Sequence, residues 1–578
     1  MSSLNWKKLI KSFLSIKKPP IDKSFSLKPT PPLKKSPLEE PEDVTSLYKP
    51  QEKPTPFPDQ KNQEDQESGV IPNNLSSVRH WLDQEFLLSL NDDVMVRPLS
   101  IGLPYSVPAL LVYFHSQVST EHLSTMLIHP LTMEVTPPAS SPETATLLDL
   151  LACKVTTAPG ETLITQDKKT IVERLINGHV ILFVEGQEKA LVIEGITVPG
   201  RAISPPTIES TARGPQESFV EDLDTNIGLV RARLRTPRLV CEIRVVGRLA
   251  RTRYCLVYIA GLTNPALVKE MRKRIQSIDV DTVHDLGLFE QYLEDQSNSL
   301  VPQHVITERP DRVTAALSDG SMAVLLDRSP YGLVAPITLW NFIHSPEDMY
   351  LRTPFGNFIR LLRLFSVIIT LFAPALYMAV QAYHPEMLPT ELMLATAGAR
   401  EQVPFPVFIE ILFLELSLEL IREASLRVPQ QVGPTIGIVG AIIIGQAAVE
   451  AGLVSPILVV IMAITALASF SLPTYTFFYS IRILRLILLV GAAFLGLYGL
   501  AIVALLLAFH LAGVKSLGVP LLSPLTPKRP FGDDFIFRGP ISYQNKRPLS
   551  LRSLDKFREN QWRPPRSRIG KIKLRRTL

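Results

Sequence analysis

Cysteine is scarce in this chain of 578 residues: Cys153, Cys241 and Cys255 are all it has. They form no CxxC pair and have no histidine at ligand spacing, which argues against a disulfide scaffold and a structural zinc, and predicts a reducing compartment for the soluble part. Also missing are a Walker loop, a GxSxG elbow, an HExxH pair and a dinucleotide fingerprint, so an enzymatic reading has no anchor and no cofactor is implied. The ten histidines are scattered, and the nearest pair of interest, His122 and His129, reads as surface or core histidine and not as a metal site. A net charge of +5 is small for the length and indicates no nucleic-acid footprint. Residues 1–78 lack arginine altogether and hold twelve Lys, ten acidic residues and twelve Pro. Such a segment cannot bury enough apolar surface to offset its ordering entropy, which predicts disorder. Its opening, MSSLNWKKLIKSFLSIKK, sets Trp6, Ile10, Phe13 and Leu14 against four lysines. This reads either as a basic amphipathic helix on an anionic leaflet or as a solvated tail. No unbroken apolar run and cleavage site follow it, so a secretory leader is not expected.

What is present is segregated along the chain. Mean hydropathy is +0.17 although 20% of residues are charged, and the two classes occupy different stretches. Residues 79–345 read as an α/β soluble domain in two subdomains, 79–200 and 201–345. VERLINGHVILFVEG (172–186) has the form helix, turn glycine, buried strand, with ALVIEG (190–195) as its hairpin partner. LVCEIRVVG (239–247) and TRYCLVYIAG (252–261) are two more strands, and 265–278 has helical spacing. VTAALSDGSMAVLLD (313–327) then repeats the scheme of 172–185, which is the reason for two related subdomains. The loop 199–219 is too rich in Pro, Gly and charge for a core. Its Glu209 and Glu217, beside Arg201 and Arg213, read as a coupling loop or as a salt-bridged surface loop.

Residues 346–523 read as a membrane domain. A hydrocarbon layer of about 30 Å needs roughly 20 apolar residues in a helix, and about four stretches qualify: 364–383, 433–453, 455–473 and 486–514. Segment 405–427 carries four glutamates and is expected to be an interfacial amphipathic helix instead. The basic tail 524–578 holds fifteen Lys and Arg against four acids, which places it on the cytoplasmic side. The stretch 384–433, with seven glutamates against three arginines, suits the outer face. Four spans then put both termini inside. Arg482 and Arg485 disagree with that topology, for which a re-entrant second or third segment is the reserve explanation.

Candidate functional residues concentrate in 433–453. At about 100° per residue, Gly437, Ala441, Gly445, Ala448 and Gly452 fall on one side, and Thr435, Val439, Ile443, Gln446 and Glu450 on the other. Small residues every fourth position let helix backbones approach closely. A glutamine and a glutamate are costly in lipid and should face protein or water. The pattern fits a pore-lining helix, or a packed bundle helix with Glu450 at the membrane boundary. Glu415, Glu419 and Glu423 share one stripe of the amphipathic helix. In a ring of subunits they would form an acidic vestibule that concentrates cations; the alternative is a solvated face.

Several long stretches resemble one family. RGPQESFVEDLDTNIGLVRARLRTP (213–237), YIAGLTNPALVKEMRKRI (258–275), TERPDRVTAALSDGSMAVLLDRSPYGLVAP (307–336), HPEMLPTELM (384–393), VPFPVFIEILFLELSLELIREASLRVP (403–429) and GPTIGIVGAIIIGQAAVEAGLVSP (433–456) are similar to the A subunit of spore germination nutrient receptors, the GerA family of endospore-forming bacteria. The resemblance covers roughly 85 to 525; DRSP at 327–330 departs from the family's DGSP, and the tails lie outside the pattern. It implies a channel-forming component that assembles with B and C subunits in the spore inner membrane, as a homo-oligomer, with the nutrient pocket in the B subunit. Combined with the residues above, it implies a cation-conducting subunit that the soluble domain assembles or gates. A transporter-like permease and a non-conducting scaffold are the rivals.

Overall fold

The computed structural model describes residues 69–102, 106–134, 148, 151, 162–194, 205–211, 213–427, 445–528, 534–541 and 544–558. The soluble part is built on two five-stranded antiparallel sheets. The first joins β1 (Val94–Ile101), β2 (Val107–Phe114), β3 (Thr162–Thr165), β4 (Val180–Val184) and β5 (Ala190–Ile193) in the order β1-β2-β4-β5-β3. The second joins β6 (Leu239–Val246), β7 (Thr252–Ile259), β8 (Val305–Thr307), β9 (Met322–Leu326) and β10 (Gly332–Ala335) in the order β6-β7-β9-β10-β8. The two orders are the same permutation, so the echo between 172–185 and 313–327 belongs to a whole repeated sheet. In both copies a helix precedes the central strand, and a glycine with positive φ (Gly178, Gly320) turns one into the other. Every residue of β4, β5, β9 and β10 is buried, as unbroken apolar runs covered on both faces require.

Helices pack on both sides of each sheet. In the first, α1 (Leu75–Phe86) and α2 (Lys168–Ile176) bury Leu82, Phe86, Ile171 and Leu175 against one face. In the second, α3 (Leu223–Arg233) and α6 (Pro310–Asp319) cover one face, while α4 (Pro265–Gln276) and α5 (Leu286–Leu293) cover the other. The sheets are joined through Arg231, whose Nε donates to Asp93 at 2.7 Å, and through Asn91, whose Nδ2 donates to the Leu239 carbonyl at 3.1 Å. The core under α3 and α6 continues without a break into the helical bundle, where Phe477, Ile481 and Leu484 belong to the same buried cluster.

The bundle comprises α7 (Thr353–Tyr383), α8 (Thr390–Arg400), α9 (Val407–Arg427), α10 (Pro456–Ser469) and α11 (Tyr475–Gly513). Among the described residues α7 and α11 are long and apolar enough to cross a membrane. The expectation of one span at 486–514 is corrected here. Gly496 takes φ 60° and ψ −135°, conditions outside any helix, and the chain reverses there. A methyl group added at Gly499 would clash with the Gly491 carbonyl oxygen, so the arms 475–495 and 497–513 meet backbone to backbone there. At 1.5 Å per residue these arms are about 31 and 25 Å long. Both outer ends meet the soluble domain: Thr474 Oγ1 donates to the Phe342 carbonyl at 3.2 Å, and the Gly513 carbonyl accepts from Gln296 Nε2 at 3.4 Å. The turn lies at the far end, beside Tyr383, whose hydroxyl donates to the Ala493 carbonyl at 2.5 Å.

Two further corrections concern the helices between these legs. The segment 405–427, expected to rest in the interface, forms a bundle helix packed against α7 and α10, with Val407, Ile411 and Leu414 buried beside Ala375 and Leu458. Its glutamates can enter the bundle because arginines neutralise them: Glu415 pairs with Arg485 and Glu419 with Arg482. These are the two arginines that conflicted with a four-span topology, and the pairing runs α9 antiparallel to the first arm of α11. The stretch read as a span at 455–473 is a helix of 14 residues, about 21 Å long and short for a crossing. Of 433–453, only the part from Gly445 is described. It is helical over 445–450 and closes at Gly452, whose φ of +65° lets Leu453 N donate back to the Ala448 carbonyl at 2.8 Å. The described part of the tail also does more than extend from the membrane. Leu554 N donates to the Leu262 carbonyl at 3.0 Å, Arg547 Nε donates to the Ser318 carbonyl at 2.9 Å, and Arg558 pairs with Asp319. The tail therefore shares a side with the soluble domain.

Candidate functional site at the junction of the sheets and the bundle

The helix α6 starts on Pro310, whose fixed φ suits a first helical position, and ends at Gly320 in the left-handed region. Its first turn sets Arg309 and Arg312 against the loop 205–211. Arg309 is fully buried and forks onto the carboxylate of Asp311 at 3.0 and 2.9 Å. Its remaining N–H groups donate to the Glu209 carbonyl, Thr211 Oγ1 and the Pro215 carbonyl at 3.1, 2.9 and 3.0 Å. Arg312 Nη1 donates to Glu209 at 2.7 Å, while its Nη2 donates to the Asn341 carbonyl at 2.6 Å and to Thr474 Oγ1 at 3.2 Å. Thr307 Oγ1 donates to the other oxygen of Glu209 at 2.5 Å. Burial pushes the Glu209 carboxyl above its ordinary range, while Arg312 beside it pulls the other way. Phe342 and Phe477 stack next to this network, their ring centroids 5.1 Å apart.

A second joint lies at the start of α7. Asp348, wholly buried, accepts from Arg360 Nε at 3.1 Å and from Arg363 Nη1 at 2.8 Å. Arg360 also pairs with Asp534, and Arg538 donates to the Asp348 carbonyl, so the tail locks the same joint. Salt bridges between desolvated partners of this kind are costly to break from one side.

The residues singled out in the sequence divide as follows. Glu209 lies in the junction, where it pairs with Arg312 and, among the described residues, not with Arg213; Arg201 lies outside the described residues. Glu217 pairs with Arg233 at 2.5 Å on the surface. Thr435, Gly437, Val439, Ala441 and Ile443 lie outside the described residues. Gln446 and Glu450 are exposed and joined, Gln446 Nε2 donating to Glu450 at 2.8 Å. Ala448 is buried among Ile411, Leu458 and Met462; Gly445 faces Val459, and Gly452 approaches the Gln402 carbonyl. Glu415 is buried on Arg485, Glu419 bridges Arg482 and Arg422, and Glu423 lies one turn further on. His122 and His129 remain on the short helical stretch after β2, and among the described residues no cluster of three His, Cys, Asp or Glu could hold a metal ion. Reading the sequence missed Arg312, Asp348 and the Glu–Arg pairs of the bundle. The usable signal for the last was the conflict over Arg482 and Arg485, since two arginines beside an apolar run call for acidic partners elsewhere in the layer.

Comparison with known proteins agrees with the earlier resemblance. The family model described as Bacillus/Clostridium GerA spore germination protein matches residues 82–550. Spore germination protein KA of Bacillus subtilis (strain 168) is 35% identical over 476 residues, covering 82% of this chain and 86% of that protein. Spore germination protein A1 of the same organism is 41% identical over 382 residues, covering 66% and 79%. GerLA of Bacillus cereus is 40% identical over 387 residues, covering 67% and 78%. The crystal structure of the N-terminal domain of the A subunit of the Bacillus megaterium spore germinant receptor GerK3 is 27% identical, covers 46% of this chain and 96% of that one, and aligns with a TM-score of 0.35. The match of the family model over most of the length, and relatives above 30% identity across two thirds of the chain or more, lead to one conclusion: this chain belongs to the GerA family of spore germination proteins.

Proposed function

We propose that this chain is the A-type membrane subunit of a nutrient receptor that triggers spore germination, and that it assembles with B and C subunits into an oligomer whose centre conducts cations. As a member of its family it is a germination protein and not an enzyme. The observation that carries the conducting reading is the helix 445–450. Its Gln446 and Glu450 lie exposed and bonded to each other, while Ala448 on the opposite side is packed into the bundle. A glutamate and glutamine on the outer surface of an apolar bundle are too costly to face lipid, so they face water or a second copy. Thr435, Val439 and Ile443 continue that face on the helical wheel, with Val439 and Ile443 as an apolar collar that shuts the pore by dewetting. Gly437, Ala441, Gly445 and Gly452 would let neighbouring backbones approach. Glu415, Glu419 and Glu423 are the vestibule candidates; Arg485 and Arg482 pair with the first two and leave those little net charge to concentrate cations. The reading places the chain in the spore inner membrane with both termini on the core side; the basic tail, and the docking of its described part on the soluble domain, support this.

Single-channel recording on the purified chain in planar bilayers tests this reading. Ile443→Ala should leak without nutrient, because a widened apolar neck wets. Glu450→Gln should keep its gate and conduct cations less well. Silence from the wild type and from Ile443→Ala alike would sink the conducting reading.

A further inference from the structure

Thr474 occupies the N-cap position of α11 yet makes no side-chain bond to its own helix. A threonine there ordinarily accepts from a backbone N–H of the first turn. Here its hydroxyl is used outward: it donates to the Phe342 carbonyl and accepts from Arg312 Nη2 at 3.2 Å. The same guanidinium holds Glu209 of the loop 205–211 and the carbonyl of Asn341 in the segment leading to α7. Three separate parts of the chain, at positions 209, 341 and 474, thus meet on one planar side chain. Arg312 and Glu209 retain 11% and 9% side-chain exposure, so the contact is nearly dry and its geometry is not softened by water. The backbone of the loop is held as well, because Ile208 N and Glu209 N both donate to Glu308 at 2.6 Å. Whatever displaces the loop therefore displaces Arg312, and through Thr474 the start of the hairpin.

We propose that Arg312 is the positioning residue through which the loop 205–211 controls the placement of the α11 hairpin. The contact needs a fork and not merely a charge. Lysine is a compact cation whose ammonium cannot reach an acid, a carbonyl and a hydroxyl in three fixed directions. The consequence for gating rests on the channel reading above; the coupling itself is a structural statement and is tested without conduction.

The test is a distance measurement by pulsed electron spin resonance on the full chain in lipid nanodiscs. Nitroxide labels are attached at Ile208→Cys and Val490→Cys, both exposed in the native chain. Cys153 is replaced by serine, and Cys241 and Cys255 stay, since both are buried. The unaltered junction should give one narrow distance peak. Arg312→Ala and Arg312→Lys should both lose it, and so should Thr474→Val, which removes the hydroxyl, keeps the shape and guards against a variant that misfolds. Arg272→Ala is the control: its guanidinium is similarly paired, with Glu242 and Tyr258, on the far face of the same sheet, and the peak should persist. A peak unchanged in Arg312→Lys and Thr474→Val, or lost equally in Arg272→Ala, overturns the proposal. If the peak behaves as expected while no variant conducts in bilayers, the coupling stands and the conducting reading falls.

Discussion

Arg231 and Arg485 are both buried arginines paired with an acid, one between the two sheets and the other inside the bundle, and their surroundings differ. Arg231 meets Asp93 and lies over the Phe114 ring, 3.9 Å from its centroid; Asp93 also accepts from Ser116 N and Oγ, each at 2.9 Å. Both oxygens of that acid accept hydrogen bonds, and the unpartnered atom of the pair is Nη1 of Arg231. Arg485 meets Glu415 in a layer where one oxygen of Glu415 and the Nε of Arg485 have no further partner. Lipid is as apolar as leucine, so no hydrophobic force presses those helices together, and close backbone contact and charge pairing hold a larger share. The sheets are held by what they exclude from water; the bundle is held by a few specific contacts.

The largest test of that contrast is Gly499→Ala. Its new methyl would lie far inside contact distance of the Gly491 carbonyl oxygen, and backbone cannot move aside as a flexible side chain can. The hairpin should fail to close, a loss above about 4 kcal/mol and in the exceptional class for one substitution. Limited proteolysis should then digest the bundle and leave the two sheets protected. Gly513→Ala, where nothing lies within 4 Å of the added methyl, should behave as wild type. If both variants are equally resistant, the hairpin is not packed as described.

Next in size is the pair itself. Arg485→Met leaves Glu415 buried with no counter-charge and should cost about 3–5 kcal/mol, whereas Arg485→Met with Glu415→Leu should recover most of it. The fraction folded in mixed micelles on titration with a denaturing detergent reads both. Equal losses in the single and double variants would mean that the pair is structural bystander to some other contact.

These cases also show which parts were legible in the chain. The strands at 180–184, 190–193, 239–246 and 252–259 were readable because each is a local apolar run bounded by glycine or charge. The matching strand order was visible only as an echo, since β3 and β8 are short and not strongly apolar. Gly496 hid in a 29-residue apolar stretch, 486–514, where hydropathy registers a glycine as merely neutral. The role of α9 was misread because the arginines that neutralise it lie 63 and 70 positions away. Arg312 looked like any charged residue of a helix's first turn; its meaning depends on Glu209 and Thr474, 103 residues before it and 162 after it. Local pattern predicts elements, and partners brought together by the fold decide what the charges are for.

The smallest effect returns to the soluble side, where a buried acid has no ion-pair partner in contact. Glu290 on α5 is 8% exposed, and its Oε1 lies 3.9 Å from Nδ1 of His304, which is wholly buried. Burial pushes Glu290 up to about 8 and His304 down to about 3, so both are neutral near pH 7. The pair sits beside Arg274, which is spent on Glu270, Asp295 and the Leu293 carbonyl, and Asp295 accepts from Gly518 N just past the hairpin. The signs are opposite for the two groups. Glu290 binds its proton more tightly folded than unfolded, so its contribution is complete below its ordinary value near 4.3 and is lost as pH rises through about 8. His304 binds its proton less tightly when folded, so its contribution is present above about 6.5 and is lost as pH falls toward 3. Stability of the soluble domain should therefore decline between pH 6 and pH 8, and Glu290→Gln, neutral at every pH, should flatten that decline by roughly 1–3 kcal/mol. Melting curves of wild type and Glu290→Gln across this range decide it: curves that stay parallel would show that Glu290 ionises freely and that the site is open to water.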